Sequence, residues 1–213
     1  MERRAWRAPR RFILSALTSL ALVPLTQAQI TGSAHDLSPL DPDRRLCIFC
    51  HTPHGADTSV ADAPLWNHAT TNQNYVVYDS PTLDATVGQP VGASRLCLSC
   101  HDGTVAVDAF GSSPGSFFLG GPGAVGSDGL LNDHPISFQY TDSLAVQDGE
   151  LHPPSVTSSL LGSTIDDDLL FNGSMECSSC HDVHRGPAAA AVNDALLMIP
   201  QTGSTLCLVC HNK

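Results

Sequence analysis

The chain has 213 residues, 8 cysteines, 10 histidines and a formal charge of −11. Residues 1–28 hold five arginines against Glu2 alone, so residues 29–213 carry 5 basic and 20 acidic side chains, a balance that excludes charge-driven binding to nucleic acid or to an anionic membrane surface. With 6% aromatic residues, 17 Gly and 15 Pro it lacks the bulky side chains that usually build a core, yet 42% hydrophobic content excludes simple disorder, and other apolar material has to supply the interior.

In chain order, Arg3, Arg4, Arg7, Arg10 and Arg11 precede the apolar run Phe12–Leu25, which is too short for a membrane span of roughly 20 residues. Thr26-Gln27-Ala28 offers a small residue for cleavage before Gln29, so residues 1–28 read as a signal peptide and residues 29–213 as the exported body with no membrane span. His35 lies near the start of that body, followed by Cys47 to His54, the Leu65-Trp66-Asn67-His68 stretch, and Tyr75–Tyr78, which reads as a short strand. After Cys97–His101 comes a Gly/Ser/Pro-rich loop over Gly111–Gly129, then Asn132-Asp133-His134 and a second short strand over Pro135–Tyr140. Leu144–Asp168 is polar, contains Pro153-Pro154 after His152, and ends in Asp166-Asp167-Asp168, which reads as a solvated acidic loop. The remainder holds Cys177–His184, a candidate helix over Ala188–Ile199 bracketed by Pro187 and Pro200, and Cys207–His211. The body is predicted to be mostly irregular coil with short helices and few short strands. One domain spans 29–213: residues 29–110 and 171–213 hold two motifs each, and 111–170 form a loop-rich insert.

Every cysteine belongs to a Cys-x-x-Cys-His unit: Cys47, Cys50 and His51; Cys97, Cys100 and His101; Cys177, Cys180 and His181; Cys207, Cys210 and His211. This is the spacing for covalent attachment of c-type haem, with two thiols one helical turn apart to add to the vinyl groups and the adjacent His placed to bind iron. A disulfide scaffold gives no reason for a His after every second cysteine, and structural zinc would take two such pairs per metal. Four covalently bound haems, roughly one per 46 residues, are then expected to form the core that the side chains do not provide.

The units fall into two pairs. Units 1 and 3 share a second histidine, His54 and His184, three residues after the first; units 2 and 4 share Ser94-x-Leu96-Cys97-Leu98 and Ser204-x-Leu206-Cys207-Leu208. Four irons call for four distal ligands, and the candidates are His35, His54, His68, His134 and His184, with His152 as a bystander in its Pro-rich loop. Met175 and Met198 are poor competitors, so bis-histidine ligation is expected, with potentials below those of His/Met sites. His54 and His184 lie too close to their own proximal histidines to cross the same haem plane and would each reach a neighbouring haem.

These motifs resemble the bacterial multihaem c-type cytochromes with the doubled Cys-x-x-Cys-His module. More narrowly, His35-Asp36-Leu37, Cys47 through His54, Pro64–His68, Leu96–Gly103, Asn132–Phe138, Cys177–His184 and Leu206–His211 are similar in order to the small extracellular tetrahaem cytochromes that polymerise into nanowires in metal-reducing bacteria. The resemblance implies bis-His haems stacked in one continuous chain, with a histidine such as His35 completing a haem of a neighbouring subunit. The expected function is electron transfer by a periplasmic or extracellular carrier, with redox partners that present a basic surface and with possible self-association into filaments. The enzymatic alternative, a multihaem reductase of a small nitrogen or sulfur compound, calls for an open haem. All four units keep their His, and the only lysine is Lys213.

Overall fold

The computed structural model describes residues 30–61, 63–125, 129–184 and 196–213. The N-terminal segment read as a signal peptide lies outside them, as does most of the expected helix at 188–199. None of the described helices is long and apolar enough to cross a membrane. Regular structure is sparse, as expected: helix α1 (Gly92–His101), strand β1 (Phe138–Gln139), helix α2 (Asp142–Asp148), helix α3 (Ile165–Leu169), strand β2 (Ser174–Met175) and helix α4 (Thr205–Cys210), joined by 3-10 turns such as Cys177–Ser179. β1 and β2 pair antiparallel, Phe138 opposite Met175 and Gln139 opposite Ser174.

Two of these helices overturn the reading of residues 144–168 as loop. Thr141 caps α2 by accepting the Leu144 N–H, and Gly149 ends it in the left-handed conformation at φ 76°. Thr164 caps α3 through the Asp167 N–H, so the Asp166-Asp167-Asp168 run is helical. Carboxylates in a first turn are favoured by the helix dipole, and Asp168 also accepts from Ser163 N at 2.8 Å. The strand expected at 75–78 is absent, because Tyr75 is held by side chains instead: its N–H donates to Gln89 and its hydroxyl to Asp102.

The insert supplies the larger apolar cluster. Phe138, Tyr140, Ala145, Ile165, Leu169 and Leu170 bury themselves with Met175, Ile199 and Val209, bringing α2 and α3 against the segment that carries the third and fourth motifs. Met175 is thereby a packing residue on β2. A smaller cluster of Val60, Trp66 and Leu96 packs on Cys50 beside the first motif. Tyr140 ties the larger cluster to the last motif, its hydroxyl donating to the carbonyls of His152 at 2.6 Å and Cys210 at 3.2 Å. Tyr140→Phe is expected to lower the unfolding free energy by about 1 kcal/mol, the net worth of one such bond. Denaturant titration of the haem-loaded protein checks this.

Candidate functional site

Each Cys-x-x-Cys-His unit closes one helical turn. The histidine N–H reaches back to the first cysteine's carbonyl at 2.8 Å for His51 to Cys47, 3.1 Å for His181 to Cys177 and 2.9 Å for His211 to Cys207, while the second unit forms the end of α1. That turn places both thiols of a unit on one side, with the imidazole following them. None of the eight cysteines is in a disulfide. Burial pushes the Cys50 thiol up to about 11 and those of Cys100 and Cys210 up to about 12. Cys97 is raised most directly by its hydrogen bond with Cys177, and then by burial.

The histidines leaving units 1 and 3 are anchored alike. Cys50 O accepts from Asn67 N while Thr52 N donates to Leu65 O; Cys180 O accepts from Met198 N while Asp182 N donates to Leu196 O. Leu65 and Leu196 both sit in the left-handed region, at φ 53° and 62°, a conformation that costs a side chain with a Cβ and persists where its surroundings enforce it. Two chain segments with little side-chain likeness thus brace equivalent motifs through their backbones.

Histidine rings then meet in pairs. His35 and His101 have ring centroids 5.8 Å apart, His51 and His184 6.2 Å, and His134 and His211 6.4 Å. Two imidazoles bound to opposite sides of one metal by bonds of about 2 Å place their centroids roughly 6 Å apart. Each pair joins the histidine of one Cys-x-x-Cys-His unit to a histidine from elsewhere in the chain. Several Nδ1 atoms are already occupied: His51 by Pro64 O at 2.6 Å, His101 by Gly123 O at 2.5 Å and His134 by Pro135 O at 2.9 Å. His184 Nδ1 lies 3.5 Å from Asp182. An Nδ1–H donated to a carbonyl leaves Nε2 with its lone pair, the tautomer in which that nitrogen can accept a metal. Burial and the facing imidazole also lower the proton affinity of His35 and His211, favouring the neutral ring.

The other candidates are placed differently. His68 is buried, and its two ring nitrogens face the carbonyls of Ala69 at 2.6 Å and Ala106 at 2.9 Å. His54 is exposed, on a turn where Thr52 Oγ1 donates to its carbonyl at 2.8 Å. His152 donates its N–H to Cys210 O at 2.8 Å and braces the last motif through its backbone. The carbonyls of Pro64 and Gly123 are parts of the site that side-chain motifs do not reveal, since any residue supplies a carbonyl.

These residues suit haem by their ring spacing, and unpartnered polar atoms lie near the same units. Among the described residues, the buried side-chain atoms without a hydrogen-bond partner are His35 Nδ1, Trp66 Nε1 and Ser178 Oγ. His35 faces His101, Trp66 bridges to His51, and Ser178 lies inside the third motif. A buried polar atom calls for a partner, and each of the three sits in, or in contact with, a residue of a Cys-x-x-Cys-His unit.

Residues 171–213, which hold the third and fourth units, match the family model described as a doubled CXXCH motif. No curated protein matches the chain. The match supports a c-type cytochrome with doubled haem-binding motifs. Residues 47–51 and 97–101 repeat the same pattern outside the matched stretch.

Proposed function

We propose that the chain is a tetrahaem electron carrier of the periplasm or the extracellular space, with its irons closed on both faces by imidazole. The observation that carries this reading is the meeting of three proximal histidines, His51, His101 and His211, with His184, His35 and His134 at separations that accommodate one metal between each pair. For the fourth, His181, we assign His54: the first and third units share the His-x-x-His spacing, and an exchange in which His184 serves the first unit implies the reciprocal exchange for the third. In this scheme His35 acts within its own chain, so all four distal ligands are internal. His68, whose ring lies against the carbonyls of Ala69 and Ala106 with Nε2 3.5 Å from Cys100 Sγ, serves as a buttress beside the second unit.

When bound, each haem supplies a one-electron ferric/ferrous couple. The chain's own contribution is positional. The Cys-x-x-Cys turns fix where each group attaches, the Nδ1 contacts of His51, His101 and His134 orient the coordinating nitrogen, and two imidazoles per iron leave no vacant position for a substrate. This last point separates a carrier from a reductase with an open haem. The acidic surface of the body, with 20 acidic and 5 basic side chains, favours partners with a basic face and an association that slows as salt is added. Extension into a filament would add contacts between copies without demanding an exchanged ligand.

Paramagnetic resonance of the oxidised holoprotein tests the closed-site reading. Four low-spin ferric haems with no cyanide or nitrite adduct are expected; a high-spin haem that binds either anion would overturn it in favour of the reductase.

A further inference from the structure

We propose that Glu176 is a buried charge that sets the reduction potentials of the second and third haems together, acting from the joint where their two attachment segments meet. The inference rests on the reading that Cys97 and Cys100, and Cys177 and Cys180, each carry a haem. It adds a tuning residue that lies outside the motifs themselves.

Glu176 immediately precedes the third unit and is 3% exposed. Its carboxylate accepts from Ser94 N at 3.2 Å and from Ser137 Oγ at 3.0 Å, and it takes the Ser179 N–H in a capping box. Ser94 stands in the first turn of α1, a helix whose own N-cap residue, Val91, offers no side-chain acceptor. A carboxylate from the residue just ahead of the third motif therefore caps the helix that carries the second. Other bonds close the joint: Ser94 Oγ accepts from Cys177 N at 2.9 Å, and Ser179 Oγ from Glu176 N at 2.9 Å. Ser94 is 0% exposed, and the thiols of Cys97 and Cys177 are within hydrogen-bonding reach of each other. The same joint thus holds an attachment atom of each haem.

A neutral acceptor would cap α1 without the cost of burying a charge. The buried carboxylates among the described residues are Asp41 and Glu176. Asp41 is neutralised by Arg45 at 2.7 Å, whereas Glu176 has helix N–H groups and a hydroxyl as its partners and no ion pair with any described residue. Its negative charge is therefore stabilised locally but not cancelled. In a medium of low effective dielectric such a charge favours the more positive, ferric form of nearby iron. Both potentials are lowered by the one carboxylate.

The test uses the haem-loaded full chain and two variants, Glu176→Gln and Ser137→Gly, each weighed by mass spectrometry and titrated electrochemically, with the haems assigned by NMR. Glycine is chosen at 137 because Ser137 has φ 56°, where glycine is unstrained. Glu176→Gln should raise the second and third potentials by roughly a tenfold change in each one-electron equilibrium, about 59 mV, and move the other two less. Ser137→Gly removes a donor while keeping the charge, so the same two potentials should fall. A general loosening of the joint would move both variants in one direction, and that result, or four unchanged potentials in Glu176→Gln, would overturn the proposal with the haem reading intact. If Glu176→Gln fails to retain its haems, Ser137→Gly decides, and unchanged potentials there overturn it. A wild-type chain with fewer than four haems would instead overturn the reading beneath.

Discussion

A chain produced in cells that lack the haem-attachment machinery is expected to remain unfolded: coil-like in far-ultraviolet circular dichroism, without a cooperative thermal transition, and cut rapidly by protease. Ordering a residue costs roughly 1–2 kcal/mol in backbone entropy, and burial must offset this over the whole body. The longest described helix runs only from Gly92 to His101, the paired strands have two residues each, and the apolar clusters centre on Ile165 and on Trp66. Those clusters pack against Cys50 and Cys210, the attachment residues themselves. The imidazole pairs would also be left facing one another with no metal to hold them together. A haem-free chain that unfolds cooperatively with native-like helix content would show that the polypeptide supplies its own core.

The second large effect concerns ligand removal. His184→Ala should convert one of the four haems to a high-spin ferric centre that binds cyanide, because His184 stacks opposite His51 at 6.2 Å with ring planes 18° apart. The same change should raise that centre's potential, since a strong donor to ferric iron is lost. His134→Ala is expected to do likewise at the unit ending in His211. His68→Ala should behave differently, keeping four low-spin haems while losing about 1–3 kcal/mol of stability as the one backbone carbonyl, of Ala69 or Ala106, that takes the ring N–H is left without it. Absorption spectra with and without cyanide, together with denaturant titrations, separate the two behaviours. A high-spin centre in His68→Ala, or none in His184→Ala, would reassign the ligands.

The attachment units were legible because covalent chemistry demands a fixed spacing that tolerates no substitution, and so were the short helical turns that carry them. The bracing of those units was not. Leu65 and Leu196 repeat a backbone role, with their carbonyls and left-handed φ values doing what no side-chain pattern reports. Helix α2 was readable in principle: Thr141 at its start and Gly149 at its end are ordinary start and stop signals. The polar sequence between them obscured a face on which Leu144 and Ala145 turn toward the core. The repeated serine ahead of units 2 and 4 pointed to Ser94 but not to its purpose, because its partners Glu176 and Cys177 lie more than 80 residues away. Ser204, its counterpart, is exposed and in the left-handed region instead. Among the histidines, counting ligands narrowed the choice, but only the fold distinguishes His35, which meets His101, from His68, which meets carbonyls.

Intact mass of the protein recovered after export, combined with titration of its thiols, tests most directly whether haem is bonded to this chain. Expected is the mature polypeptide plus four haems, with no free thiol among Cys47, Cys50, Cys97, Cys100, Cys177, Cys180, Cys207 and Cys210. The mass of the polypeptide alone, with eight reactive thiols or with four disulfides, would contradict it.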